Sequence, residues 1–281
     1  MTQFSVGPFQ PVAPGVFVAV AEPASVNIGL IVGESGAVVI DTGSSPAQGA
    51  EIRAAAEVAA GVPLTAVVVT HAHYDHFFGL AGFAGITSFG HETLPEARSG
   101  EVVAAAAAEL GLAVSALAAP DQLFSLARVI DLGGRRVEVL HFGPGHTDSD
   151  VVAYVPDADL IFAGDLLESA GPPSFGTDSH IKDWPAALDG VLGLVGEHTV
   201  LVPGHGPAMD RIAAFEQRAA IAGFYAEVSD LVARGVVAEA AYEAAQWAFD
   251  EETVRAALPL LYAQLAEAGL TPKRQLPLLG S

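Results

Sequence analysis

The chain has 281 residues, 51% of them hydrophobic, with 12 lysines and arginines against 33 aspartates and glutamates and a formal charge of -21. This is ample apolar material for a folded core, and it excludes a disordered or fibrous chain. The acidic excess, with no basic cluster, argues against nucleic acid and anionic membranes as partners, and zero cysteines exclude a disulfide framework or a thiolate metal site.

The start, MTQFSVGPFQPVAPGVF, has neither a basic stretch nor an unbroken apolar run. It does not read as a signal peptide, so a reducing cytoplasm is the expected compartment. Three β-rich runs follow, VFVAV, NIGLIVG and GAVVIDTG, with Glu34-Ser35-Gly36 as a hairpin turn. Residues 46–60 become alanine-rich and helical, and LTAVVVTH is an apolar run of the kind found in buried strands. A further strand is expected near 86–89. Residues 102–120 are rich in alanine and carry Glu109, which favours a soluble helix or pair of helices over a membrane span. Strands are predicted at 128–131 and 136–142 around a Gly133-Gly134 turn, then at 151–155 and 160–164. A short helix follows from Trp184 to Leu194, and TVLVPGHG ends another strand at 203. Beyond Asp210 the pattern is helical, with two to four helices interrupted at Pro259. The expected organisation is a layered α/β (α+β) unit over 1–209 and a helical extension over 210–281 packed on it. A lid, a dimer surface that would make a homodimer, and simple packing all remain open roles for that extension.

The chemistry concentrates where apolar strands end. VVVTHAHYDH presents His71, His73, Asp75 and His76; VLHFGPGHT presents His146; LIFAGD presents Asp165; VLVPGHG presents His205; and VVIDTG offers Asp41. Imidazoles and carboxylates without thiolates suit zinc, iron or manganese. His71 and His73 stand two apart, so both can reach one ion. Asp75 and His76 are adjacent, point in different directions and can serve a second centre. Seven ligands exceed one tetrahedral site and suit two divalent ions sharing a bridging carboxylate and solvent. Such a pair acidifies bound water and acts as a Lewis acid.

The ordered set H-x-H-x-D-H, G-H-T, Gly-Asp and G-H-G, spread over residues 41–206, resembles the metallo-β-lactamase superfamily. The resemblance implies a four-layer αββα sandwich with its site along one edge between two sheets. It implies that His71, His73 and His146 hold one metal, that Asp75, His76 and His205 hold the other, that Asp165 bridges, and that Asp41 orients a site histidine from behind. It also implies a metal-dependent hydrolase, most simply with two zinc ions. In that reading a hydroxide held by the metal pair cleaves an ester, lactone, thioester or related acyl bond of a small molecule, and Asp75 shuttles a proton. Two alternatives within the same resemblance are a mononuclear iron persulfide dioxygenase and a β-lactam hydrolase.

Other residues carry plainer readings. His91, His141, His180 and His198 are expected to be structural or exposed, Asp148 and Asp150 to shape a turn, and Phe77, Phe78, Phe83 and Phe89 to fill the core. Glu168 stands where the acyl-homoserine lactonase branch carries a tyrosine, so that tyrosine's role does not transfer. The late basic pair Lys273 and Arg274 is a weak basis for gripping glutathione. The Gly/Pro-rich segment 168–180, with His180, is either a pocket wall or a surface loop.

Overall fold

The computed structural model describes residues 4–272, so Lys273 and Arg274 lie outside the described residues. Two sheets stack face to face. The first has eight strands, Ser5–Val6, Gln10–Ala13, Val16–Glu22, Val26–Val32, Ala37–Ile40, Leu64–Val68, Thr87–His91 and Gln122–Phe124. It is antiparallel up to Ala37–Ile40 and parallel from there to Gln122–Phe124. The second sheet runs Val200–Pro203, Leu160–Gly164, Val152–Val155, Arg136–Leu140, Ala127–Asp131, with one parallel pair, Leu160–Gly164 beside Val200–Pro203.

Three apolar cores separate four layers. Between the sheets lie Ile31, Val38, Val68, Val139, Val155 and Phe162 among others. Outside the first sheet, Ile52 and Ala56 of helix Pro46–Ala60 pack with Phe77, Phe78 and Phe83. Outside the second, Trp184 and Leu188 of helix Trp184–Leu192 pack with Ile221 and Val228 of helix Arg211–Ala233 and Leu258 and Leu261 of helix Glu251–Glu267. The order is helix, sheet, sheet, helix, the αββα arrangement the motifs imply. Strands buried on both faces read as continuous apolar runs, which is why Ala37–Ile40 and Leu160–Gly164 are buried along their whole length.

The sequence pattern misses three short strands. Ser5–Val6 and Gln10–Ala13 take successive stretches of one edge of Val16–Glu22, and Pro11 is tolerated there because an edge strand leaves some N–H groups unpaired. Gln122–Phe124 is too short to show a period. Within 102–120 the α-helix covers only Glu101–Glu109, followed by a single 3₁₀ turn at Val114–Ala116. The expected break at Pro259 is absent, because helix Glu251–Glu267 runs through it. Pro259 lies on the exposed face, where solvent satisfies the carbonyl that loses its N–H partner, while Val254, Leu258, Leu261 and Leu265 hold the opposite face. No helix among the described residues is long and apolar enough to cross a membrane.

The two sheets are stitched together at one end. Asn27 N–H donates to the Gly204 carbonyl and Val151 N–H to the Thr70 carbonyl. Asn27 Nδ2 donates to the carbonyls of Pro203 and Gly206. That end also gathers the C-termini of the parallel strands, so the segments after Ile40, Val68, Gly164 and Pro203 emerge together.

Helix Pro46–Ala60 is capped by Ser45, whose Oγ accepts from Gln48 N, and it ends at Gly61 in the left-handed region. Its Gly49 lies against the backbone of Gly79, just beyond the histidine motif, and a Cβ at either position would collide with backbone. In an open helix Gly→Ala is stabilising by about 1 kcal/mol. Here Gly49→Ala should destabilise by about 1–3 kcal/mol, the range for overpacking. Urea denaturation checks the sign, and a stabilised variant would show that the contact yields easily.

Candidate metal centre

Each histidine of the motif set is fixed by a bond on its outer nitrogen. His76 Nδ1 donates to Asp41 Oδ2 at 2.8 Å, and His205 Nδ1 donates to the Ala24 carbonyl at 3.0 Å. His146 Nδ1 donates to the Ser174 carbonyl at 3.2 Å, and His73 Nε2 donates to Asp178 Oδ2 at 3.1 Å. Thr70 Oγ1 donates to Asp41 Oδ2 at 2.9 Å, so its contact with His71 Nδ1 at 3.0 Å is accepted from the ring. With the outer nitrogen committed as a donor, the inner nitrogen of each ring faces the centre and, in the neutral form, presents its lone pair there.

The inner atoms converge on Asp165. Its Oδ2 lies 3.6 Å from His71 Nε2, 3.4 Å from His146 Nε2 and 3.6 Å from His205 Nε2, while Oδ1 lies 3.0 Å from His76 Nε2. Asp75 Oδ2 is 3.2 Å from His205 Nε2 and 3.7 Å from His76 Nε2. Three sets of donor atoms therefore lie within a single ion's reach: His71, His73, His146 and Asp165 in one, Asp75, His76 and His205 in the second, and Asp165, Glu168 and His205 in a third that overlaps both. The seven residues at strand ends come together in one cluster.

The cluster fits divalent cations on its own chemistry. His71 Nε2 and Asp165 Oδ1 are buried and have no hydrogen-bond partner. His146 Nε2 and His73 Nδ1 face each other at 2.7 Å, each ring with its other nitrogen bonded outward. Burial opposes charge on His73 but Asp178 raises it, so either an imidazolium proton between the rings or a cation beside them holds this contact. Burial, reinforced by neighbouring imidazoles, pushes His71 well below its ordinary range and His146 down to about 4, so both favour the neutral form that binds metal. Burial also opposes charge on His205 and His76, but carboxylates outweigh it. Asp165 and Asp75 raise His205 to about 10, and Asp165, Asp75 and Asp41 hold His76 well above its ordinary range. The Asp165 carboxyl is held well below its ordinary range, burial being overcome by His76 and His71. Buried carboxylates thus require positive charge at this spot, which imidazolium protons or metal ions can supply. Histidine and carboxylate donors without sulfur suit zinc, iron or manganese.

Asp41 adopts φ 67°, unusual for a residue other than glycine. The conformation lets its carboxylate accept from Thr70 N at 2.8 Å as well as from Thr70 Oγ1 and His76. It sits behind the cluster, where the motif comparison expects it.

The cluster lines a groove of about 560 Å³ together with Ala24, Ser25, Tyr74, Glu168, Pro172 and Ser174. Segment 168–180 is therefore a pocket wall. Its contribution to the cluster is Asp178 and the Ser174 carbonyl, which sequence reasoning missed, whereas His180 faces a neighbouring cavity with Glu96 and Asp148. A backbone carbonyl leaves no mark in a sequence. An aspartate in the Gly/Pro-rich loop after Asp165 was the available signal for Asp178. Glu168 is pushed up to about 8 by burial and by the Asp165 charge. His91 and His141 stack on each other at 3.9 Å away from the groove, and Phe77, Phe78 and Phe83 are buried as expected, with Phe89 partly so. Asp150 shapes the turn by accepting from Thr147 N and Oγ1; burial raises it to about 7.

A family model described as the metallo-β-lactamase superfamily matches residues 21–205. The chain is 30% identical over 156 residues to a metallo-β-lactamase type 2 of Bacillus cereus, covering 53% of this chain and 54% of that one, about half its length. It is 29% identical over 203 residues to the acyl-coenzyme A thioesterase MBLAC2 of Bos taurus, covering 64% and 72%. A solved metallo-β-lactamase from Pontibacter korlensis superposes with a TM-score of 0.62 at 24% identity, covering 78% of this chain and 99% of that one, which speaks to the fold.

If Asp178 fixes the His73 ring, Asp178→Ala should weaken metal binding by about 10–100-fold, the range for lost partners behind metal ligands. Competition against a chromophoric chelator reads this directly, and unchanged affinity would show that the His73 ring is held by other means.

Proposed function

The chain belongs to the metallo-β-lactamase superfamily, and from that premise we propose that it is a metal-dependent hydrolase of an acyl bond, an ester, lactone or thioester, in a small molecule. The observation that carries the reading is the convergence of five imidazoles, each fixed from outside, on a buried carboxylate at the floor of an open groove. His71, His73 and His146 would hold one divalent ion, Asp75, His76 and His205 a second, and Asp165 both; zinc is the first choice, with iron or manganese as alternatives. When bound, such ions supply Lewis acidity and water acidified towards neutral pH.

The chain's own residues do the rest. Hydrolysis puts a hydroxyl on the carbonyl carbon, breaks the bond to the leaving oxygen or sulfur, and returns the proton to that atom. Asp75 lines the groove floor, and the imidazoles of His76 and His205 overcome its burial to hold it in the ionised form. Its carboxylate oxygen turned away from His205 can take the proton from water and release it to the leaving atom. Ser25, Tyr74 and Ser174 border the groove and can orient polar groups of the substrate.

Charge supports acyl substrates over β-lactams. Penicillins and cephalosporins carry a carboxylate, and among the described residues lining the groove there is no lysine or arginine to meet it. The MBLAC2 relative, an acyl-coenzyme A thioesterase by description, supports acyl-bond chemistry independently of charge, since coenzyme A is itself anionic.

Elemental analysis paired with a panel of chromogenic esters, lactones and thioesters tests the reading. The expected result is at least one bound metal per chain and turnover abolished by a chelator, with His71→Ala reducing metal content and rate together. Bound metal with turnover no greater than buffer, or oxygen uptake with a persulfide in place of hydrolysis, would overturn it.

A further inference from the structure

A second cavity opens beside the groove. It holds about 450 Å³ and shares Ser25 and Ala170 with the groove as a common rim. Its walls are Val12 from the edge strand, Val18 and Val20 from the next strand, and Val202, Pro207 and Ala208 opposite. Val18 and Val20 are two apart on one strand, so they share a face. Val20 is 40% exposed, a large apolar side chain left open to water on the wall of this trough.

The trough offers an incoming molecule no charge. Among the described residues that line it there is no ionisable side chain. Of its two amides, Gln10 is exposed, and Asn27 donates through Nδ2 to the carbonyls of both Pro203 and Gly206, so the Asn27 donors are already engaged. The rim is built rather than loose. Ser169 Oγ donates to the Pro207 carbonyl at 2.6 Å, and Gly206, at φ 88°, lies so close to Ala170 and Ser169 that a Cβ would collide with them. The turn at Gly206 separates two tasks: His205 before it faces the metal cluster, and Pro207 and Ala208 after it wall the trough.

A polar, metal-ligating floor joined over a shared rim to an uncharged apolar channel complements one kind of molecule, with a hydrolysable carbonyl at one end and a hydrocarbon chain at the other. We infer that the trough binds the saturated acyl chain of the substrate, so that this protein acts on uncharged acyl esters or thioesters of medium chain length. The inference rests on the acyl-hydrolase reading above and deepens it.

Two measurements test it separately from that reading. The first is kcat/KM of the metal-loaded protein across p-nitrophenyl esters from acetyl to octanoyl. Full burial of a methylene corresponds to about fourfold, so even partial burial should raise kcat/KM by at least about tenfold over the series. Val20→Glu sets a carboxylate in the trough and Ala208→Trp fills it, both at exposed positions, and each should flatten that rise. The second measurement needs no turnover. The neutral fluorophore N-phenyl-1-naphthylamine should bind, 1-octanol should displace it where ethanol does not, and both variants should weaken that binding. A flat series in a protein that turns over the acetyl ester overturns the inference. So does a rise that both variants keep, or a probe that octanol does not displace. Octanol-sensitive binding lost in both variants, with no ester turned over, sustains the trough as an alkyl-chain site and removes the hydrolase reading instead.

Discussion

The Asp41 carboxylate is the fixed point of the site. One oxygen accepts from Thr70 N, and the other from Thr70 Oγ1 and His76 Nδ1. Through Thr70 it sets the start of the histidine segment and the ring of His71; directly, it sets His76. It is buried, so each of these bonds is stronger than it would be in water, and losing one would leave a buried acceptor unsatisfied. The left-handed backbone at Asp41 is the strain accepted for this geometry. Three strand ends depend on it: the chain leaves Ile40, passes behind the cluster, and meets the turn after Val68 at the place where Asp165 arrives from the second sheet.

That convergence follows from the parallel pairings. Ala37–Ile40 lies parallel to Leu64–Val68, and Leu160–Gly164 lies parallel to Val200–Pro203. Parallel neighbours end at the same edge, so residues far apart in sequence emerge side by side. The Asn27 and Val151 hydrogen bonds then lock the two edges together. The result is a cluster whose donors come from both sheets and whose spacing is set by sheet packing rather than by any one loop.

Much of this was legible in the sequence because the polar donors directly follow apolar runs. THAHYDH, GD and GHG each sit where a buried strand stops, while GHT lies in the loop after the half-buried strand Arg136–Leu140. What the sequence did not expose were partners that carry no side-chain signature or come from far away. The carbonyls of Ala24 and Ser174 orient His205 and His146, yet any residue has a carbonyl. Asp178 is one acidic residue among many in a chain of charge -21. Pro259 misled for a different reason. A proline breaks a helix when the lost bond is buried, and here it faces solvent while four aliphatic side chains hold the helix down.

The C-terminal helices connect to the same logic of outer support. Phe175, in the loop that supplies both the Ser174 carbonyl and Asp178, packs on Phe224 of helix Arg211–Ala233, on Phe249 and on Trp184. Gln264 of helix Glu251–Glu267 donates to the Ser179 carbonyl at 2.5 Å, and Ser179 Oγ in turn donates to the His146 carbonyl at 2.8 Å. The loop is held from behind by aromatic packing and by this relay, while its front edge holds two imidazoles. A wall rich in glycine and proline has little regular hydrogen bonding of its own, so without such backing its ordering entropy would work against a fixed site. Residues beyond the 21–205 family match thus contribute to the position of histidines within it, and the helices lie in the structural chain that runs from the outer core to His73 and His146.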